Sequence, residues 1–144
     1  PQGYSGEADW NEIKKVKDTV SVPVTGNGDV WKPTDAKRMI EETGCDHVMV
    51  GRVAATEPFI FKRISAFLRT GKEMKEQDKK AKARDLFEYY KLSEKHELVD
   101  LHDFRMRAQD FMKGFPGSTV FRNDVNRVES LTSLYSTVKS FARL

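Results

Sequence analysis

The sequence predicts an α/β unit followed by an all-α unit, and three observations carry that expectation. Residues 20–25 and 47–50 are short apolar runs, each leading into a glycine-containing loop. The stretch between them has helical periodicity, so the two runs pair as parallel strands joined by a crossover helix. From Lys72 onward no convincing strand follows, and four helical stretches fill the rest of the chain.

Residues 7–18 form the first predicted helix, with Trp10, Ile13, Val16 and Lys17 on one face. Residues 20–25 are the first strand, which Pro23 interrupts or begins. Thr34 is the expected N-cap of the next helix, with Asp35 in its first turn and Gly44 as its left-handed stop. Residues 47–50, His-Val-Met-Val, read as a strand buried on both faces. Thr56 is expected to cap a further helix with Pro58 near its first turn. Phe59, Ile60, Ile64, Phe67 and Leu68 form its apolar stripe, and Gly71 ends it. The helical unit is expected at residues 78–99, 103–113, 118–127 and 130–143, as a small antiparallel bundle. The domain division is placed at 1–71 and 72–144.

At 144 residues the chain is too short for a complete (β/α)8 barrel, which needs at least about 200. It begins without Met and in what reads as mid-loop, so a fragment of a longer protein is expected. No run reaches the roughly 18 apolar residues of a membrane span, and the N-terminus lacks the basic start and apolar stretch of a signal peptide. No membrane association is expected. Cys45 is the only cysteine, which excludes an intrachain disulfide and a cysteine zinc site and fits a cytoplasmic setting. His47, His96 and His102 have no metal-ligand spacing, and no metal is expected. Net charge is +3, with 10 basic and 10 acidic residues in 1–71 against 15 and 12 in 72–144. The basic second half suggests a polyanionic partner, although solvated helical faces carry such an excess too.

Two loops carry the chemistry. Gly26-Asn27-Gly28-Asp29 follows the first strand, and its glycines allow a sharp turn and close backbone approach to a ligand. The Asn amide can donate to phosphate, whereas the Asp orients the loop or accepts from a cofactor hydroxyl. Taken alone, G-N-G-D is equally an ordinary β-turn. Gly51-Arg52 ends the next parallel strand at the same sheet edge, and arginine offers a planar fork of donors suited to phosphate. The pair of loops points to a phosphorylated cofactor.

The motifs Q-G-Y-S-G-E-A-D-W, P-V-T-G-N-G-D-V, T-G-C-D-H-V-M-V-G-R-V-A and P-F-I-F, in that order, resemble the tRNA-dihydrouridine synthases. The resemblance is close over residues 2–64. It continues more weakly through R-M-R-A-Q-D-F-M-K-G-F-P-G-S-T-V-F-R, which is similar to that family's helical tRNA-binding domain. It implies the last two strand-helix units of an FMN-binding (β/α)8 TIM barrel, followed by a helical tRNA-binding domain. It further implies FMN as cofactor, NADPH or NADH as reductant, and reduction of the C5–C6 bond of specific tRNA uridines. Asn27, Gly28, Asp29, Gly51 and Arg52 match the family's FMN positions. Arg105, Arg107, Lys113 and Arg122 match positions toward tRNA, Phe111 matches the aromatic before the K-G-x-P-G turn, and Tyr4 could stack on a base. No catalytic residue is assigned. The family's proton-donor Cys lies in an Asn-x-x-Cys-Pro loop of the first barrel half, so the missing half is an expected partner and this chain alone is expected to be inactive. Cys45 matches another position and reads as packing. Two other readings stay open: another FMN barrel oxidoreductase acting on a small molecule, and a non-catalytic RNA-binding helical module.

Overall fold

The computed structural model of the chain describes residues 6–144, and Tyr4 lies outside them. It divides into two compact units between Lys75 and Glu76, a few residues beyond the expected 71/72.

The first unit runs α1 (Trp10–Thr19), β1 (Thr25–Asn27), α2 (Pro33–Thr43), β2 (His47–Met49), α3 (Arg52–Thr56) and α4 (Ile60–Thr70). β1 and β2 pair in parallel, Thr25 opposite His47, Gly26 opposite Val48 and Asn27 opposite Met49. The sheet is shorter than the apolar runs. Residues 20–24 do not join it, and Val20 and Val22 are exposed. β2 was expected to be buried on both faces, yet His47 and Met49 are exposed and Val48 is half-buried. Among the described residues β2 has one neighbouring strand, so its second edge has no partner.

α2 starts earlier than Thr34, with Lys32 as N-cap and Pro33 at the first helical position. Buried Asp35 decides the start, because its Oδ2 accepts the Trp31 and Lys32 N–H groups at 3.0 Å each. Gly44 ends the helix in the left-handed region, φ 70°. α3 occupies a stretch expected to be loop. Thr56 does not cap α4: its hydroxyl donates back to the Val53 carbonyl and closes α3. The core comprises Val30, Ala36, Met39, Cys45, Ile60 and Ile64. The Arg63–Glu57 ion pair at 2.8 Å is largely buried beside it. α1 contributes no fully buried residue. It is pinned by Asp46, whose Oδ2 accepts from Lys17 Nζ and from the Val24 N–H, both at 2.7 Å.

The second unit is four helices: α5 (Lys79–Lys95), α6 (Leu101–Phe111), α7 (Ser118–Arg127) and α8 (Leu131–Ala142). α5 stops at His96, short of the expected Val99, and Glu97 there adopts φ 57°. α6 begins two residues earlier than expected because Asp100 caps it through the His102 N–H. Ser130 and Ser133 form a reciprocal cap at the start of α8. Leu86, Tyr90, Phe104, Ala108, Phe111, Met112, Phe121, Val125, Leu134 and Val138 make one core. Tyr90 stacks on Phe104 at 4.2 Å and donates its hydroxyl to the Phe104 carbonyl at 2.7 Å. Burial pushes its phenol far above the usual range. Burial also raises Tyr89 and Tyr135, helped by Asp103 and Glu94 respectively.

The Lys17 ammonium and the Val24 N–H hold the Asp46 carboxyl below the usual carboxylate range. A lowered folded pKa stabilises above the unfolded value of about 3.9 and is lost as pH falls through the folded value. Urea unfolding at a series of pH values is therefore expected to show Asp46→Asn less stable than the parent near pH 6–7. The gap should close below about pH 4, and a gap independent of pH would remove the carboxylate from this role.

Candidate functional site

Parallel pairing brings the residues after β1 and after β2 to one edge of the sheet. There Arg52 Nη2 donates to Asp29 Oδ1 at 2.7 Å. Asp29 Oδ2 accepts the Ala8 N–H at 2.7 Å, so one carboxylate ties the segment before α1 to both loops. The Trp10 indole N–H donates to the Gly28 carbonyl at 3.1 Å. Gly28 takes φ 126° and Asp29 φ 51°. A Cβ on Gly28 would lie 2.4 Å from the Ala8 Cβ, so glycine is required by both conformation and space.

Arg52 is half-exposed, and its guanidinium lies over the Trp31 ring at 4.4 Å. The ring face attracts the cation and restrains it. Apart from Asp29, no hydrogen-bond acceptor for this guanidinium occurs among the described residues. Gly51 is exposed, and a Cβ there would meet nothing within 4 Å, so the backbone at the start of α3 is open to close approach. Asn27 is exposed at the end of β1. A cleft of about 660 Å³ adjoins, lined in part by Trp10, Asp29, Trp31, Arg38, Glu42 and Arg52. A half-occupied guanidinium fork beside open backbone suits a phosphate monoester. These residues fit the phosphate end of a cofactor such as FMN. Sequence reasoning missed Trp31, Trp10 and Ala8. An aromatic two residues beyond Asn-Gly-Asp was the available signal for Trp31, and nothing local marks the other two.

Gly26 has a separate packing duty. A Cβ there would sit 2.7 Å from Met39 Sδ and 3.0 Å from Cys45 Sγ. Cys45 is buried, in keeping with a packing role. Among the described residues no group of three or more His, Cys, Asp or Glu is placed to hold a metal ion, and no helix is long and apolar enough to cross a membrane.

A sequence model of the dihydrouridine synthases matches residues 1–143. The chain belongs to the dihydrouridine synthase family. It is similar to tRNA-dihydrouridine synthase B of Pseudomonas aeruginosa, 32% identical over 96% of this chain and 42% of the relative. The corresponding Pseudomonas syringae protein is 31% identical over 96% of this chain and 42% of its own length. The "Probable tRNA-dihydrouridine synthase" of Aquifex aeolicus is 34% identical over 96% of this chain and 43% of its own length. The chain thus spans about four tenths of the length of these relatives.

Within this dihydrouridine synthase chain, the four basic residues expected to meet tRNA have unlike surroundings. Arg105 is half-buried and donates Nη2 to the Val128 carbonyl at the end of α7, and its Nε is buried without a hydrogen-bond partner. Arg107 lies between Asp103 at 3.3 Å and Asp110 at 3.9 Å. Lys113 and Arg122 are exposed and form no ion pair among the described residues. Phe111 is buried in the bundle core.

Gly28→Ala is expected to lower the melting temperature of the protein, because the new methyl collides with Ala8 and L-residues resist that φ. The cost should be at least about 1 kcal/mol. Gly51→Ala should leave the melting temperature within about a degree, its surroundings being open. Equal melting of the two variants would contradict the close approach of Ala8.

Proposed function

We propose that this chain supplies the phosphate end of an FMN site and a helical tRNA-binding module to a tRNA-dihydrouridine synthase that uses NADPH or NADH. In this reading residues 1–71 are the last two strand-helix units of a TIM barrel, residues 72–144 are the tRNA-binding domain, and the protein is cytoplasmic. The juxtaposition of Asn27-Gly28-Asp29 with Gly51-Arg52 across the parallel pair carries the proposal.

Arg52 binds the phosphate through guanidinium donors that Asp29 does not occupy, and the Trp31 ring restrains the cation. Asn27 donates from the end of β1, and Gly51 leaves room for close approach. Asp29 keeps the two loops in register through Ala8 and Arg52, so it acts on the cofactor site by positioning. When bound, FMN supplies the hydride-transfer chemistry that reduction of a uridine C5–C6 bond requires. This chain offers no assigned proton donor, and Cys45, buried against Gly26 and Met39, packs.

Loss of one charge-assisted contact to a phosphate costs roughly 1.5–3 kcal/mol. In the complete protein Arg52→Ala is therefore expected to raise the FMN dissociation constant about tenfold to a hundredfold. Flavin fluorescence titration measures this, with riboflavin, which lacks the phosphate, as comparison. Arg52→Ala should leave riboflavin affinity unchanged. Equal FMN affinity in parent and variant would take Arg52 out of the site.

A further inference from the structure

The α5–α8 bundle is electrically polarised end to end, a property the linear sequence does not display. Its antiparallel course places the start of α5, the α6–α7 turn and the end of α8 together. Lys79 Nζ lies 4.0 Å over the Phe141 ring, Lys82 Nζ 5.8 Å over the Phe115 ring, and a Cβ on Gly117 would be 3.4 Å from Phe141. The opposite end gathers the finish of α5 with the starts of α6 and α8 and the finish of α7. Tyr135 donates to Glu94 at 3.4 Å, Tyr89 to Asp103 at 2.5 Å, and Arg105 to the Val128 carbonyl.

Sorted onto these ends, Lys79, Lys80, Lys82, Lys113, Lys139 and Arg143 share the first, where the acids are Glu76, Asp78, Asp85 and Asp110, Asp85 accepting from the Gln77 amide. Asp78 is occupied in capping α5, and Asp110 faces Arg107. The second end carries Glu88, Glu94, Glu97, Asp100, Asp103 and Glu129, balanced in part by Lys91, Lys95, Arg105 and Arg127. Lys80, Lys113, Lys139 and Arg143 are exposed, with no ion pair among the described residues.

Helix stability alone would not place Lys79 and Lys80 at this end, whereas Lys139 and Arg143 close α8, where the helix dipole favours cations. Lys79 and Lys80 occupy the opening turn of α5, which holds no acidic residue. Cations are disfavoured there by the helix dipole. Rings beneath Lys79 and Lys82 fix two ammonium groups at the surface, whereas solvated lysines are ordinarily unrestrained. Of the four cations singled out from sequence, Arg105 and Arg107 are engaged within the bundle, whereas Lys113 and Arg122 are exposed.

We infer that the basic end built by the start of α5, the α6–α7 turn and the end of α8 is the bundle's contact with the RNA phosphate backbone, with Lys80, Lys139 and Arg143 as phosphate ligands. The inference rests on the tRNA reading above and assigns its surface.

The test measures binding of a fluorescently labelled, unmodified tRNA transcript to the complete protein by anisotropy across a salt series. The combined variant Lys80→Ala, Lys139→Ala, Arg143→Ala is expected to weaken binding at least about tenfold near physiological salt. It should also lower the log–log salt slope by about two to three, near one per lost phosphate contact. Lys95→Ala with Arg127→Ala, at the other end, should stay within about twofold of the parent. Melting temperature and flavin content should be unchanged in both. Should the triple variant melt early, Lys80→Ala alone must lower the slope by about one, and Lys80→Arg must restore it. A parent that binds tRNA, with basic-end variants that match it across the series, overturns this assignment and leaves the tRNA reading intact. A parent that shows no salt-dependent tRNA binding overturns both.

Discussion

The Asp29 carboxylate is the constraint on which the candidate site depends. One oxygen takes the Ala8 N–H and the other takes the Arg52 guanidinium, so three chain segments meet at a single side chain. The β1–β2 ladder is only three residues long. Its few backbone hydrogen bonds fix the register of the strands but not the course of the loops beyond them. That course is set by Asp29, by the Trp10 indole on the Gly28 carbonyl, and by the absence of a Cβ where Gly28 passes Ala8. The Asp29–Arg52 pair is also nearly self-neutralising. Affinity for an anion at this place must come from directed donors and space more than from net positive charge.

Much of this was legible in the sequence because it is local. Gly44 and Gly71 stop helices through left-handed backbone, and α7 lies where its periodicity put it. The juxtaposition of the two glycine loops followed from one inference, that a crossover helix makes neighbouring strands parallel. Side-chain contacts that hydrophobic periodicity does not report account for the misses, several of them only three or four residues apart. Asp35 reaches back to Trp31 and Lys32 and moves the start of α2, which Thr34 alone did not predict. Residues 20–24 are apolar enough for a strand, but strand formation needs a partner edge, and β2 offers three residues. Thr56 had the composition of an N-cap and serves the end of the preceding helix. Arg105 and Arg107 read as free cations because the Val128 carbonyl that meets Arg105 is 23 positions away. The acids that meet Arg107 are three and four residues away, near enough to have been weighed.

The two units are held by different physics. The bundle has a continuous aromatic core, with Phe87, Tyr90 and Tyr135 in mutual ring contact and Phe104 stacked on Tyr90. The α/β unit has a smaller core and relies on ion pairs and capping carboxylates: Asp29 and Asp46 join segments far apart in sequence, while Asp35 and Glu57 act on near neighbours. Acid and salt therefore act on the long-range joins of the first unit, while in the second, where Arg107–Asp103 and the Asp78 and Asp100 caps are local, burial dominates. The site that needs defined geometry thus lies in the unit whose geometry is electrostatic.

The contact between Gly26, Met39 and Cys45 has a consequence for how the family can vary. The middle residue of β1 faces two sulfur-bearing side chains, one on α2 and one leading into β2, with no room for a methyl group. These three positions form a closed volume that must be conserved as a sum. Alanine at 26 requires Met39 and Cys45 to shift or to shrink, and a shrunken neighbour beside glycine leaves a void. Substitution here has to pass through a less stable intermediate or change two residues together. Homologues are accordingly expected to differ at these positions in linked sets, and the lone cysteine should be gained or lost in step with its neighbours rather than with any chemical role.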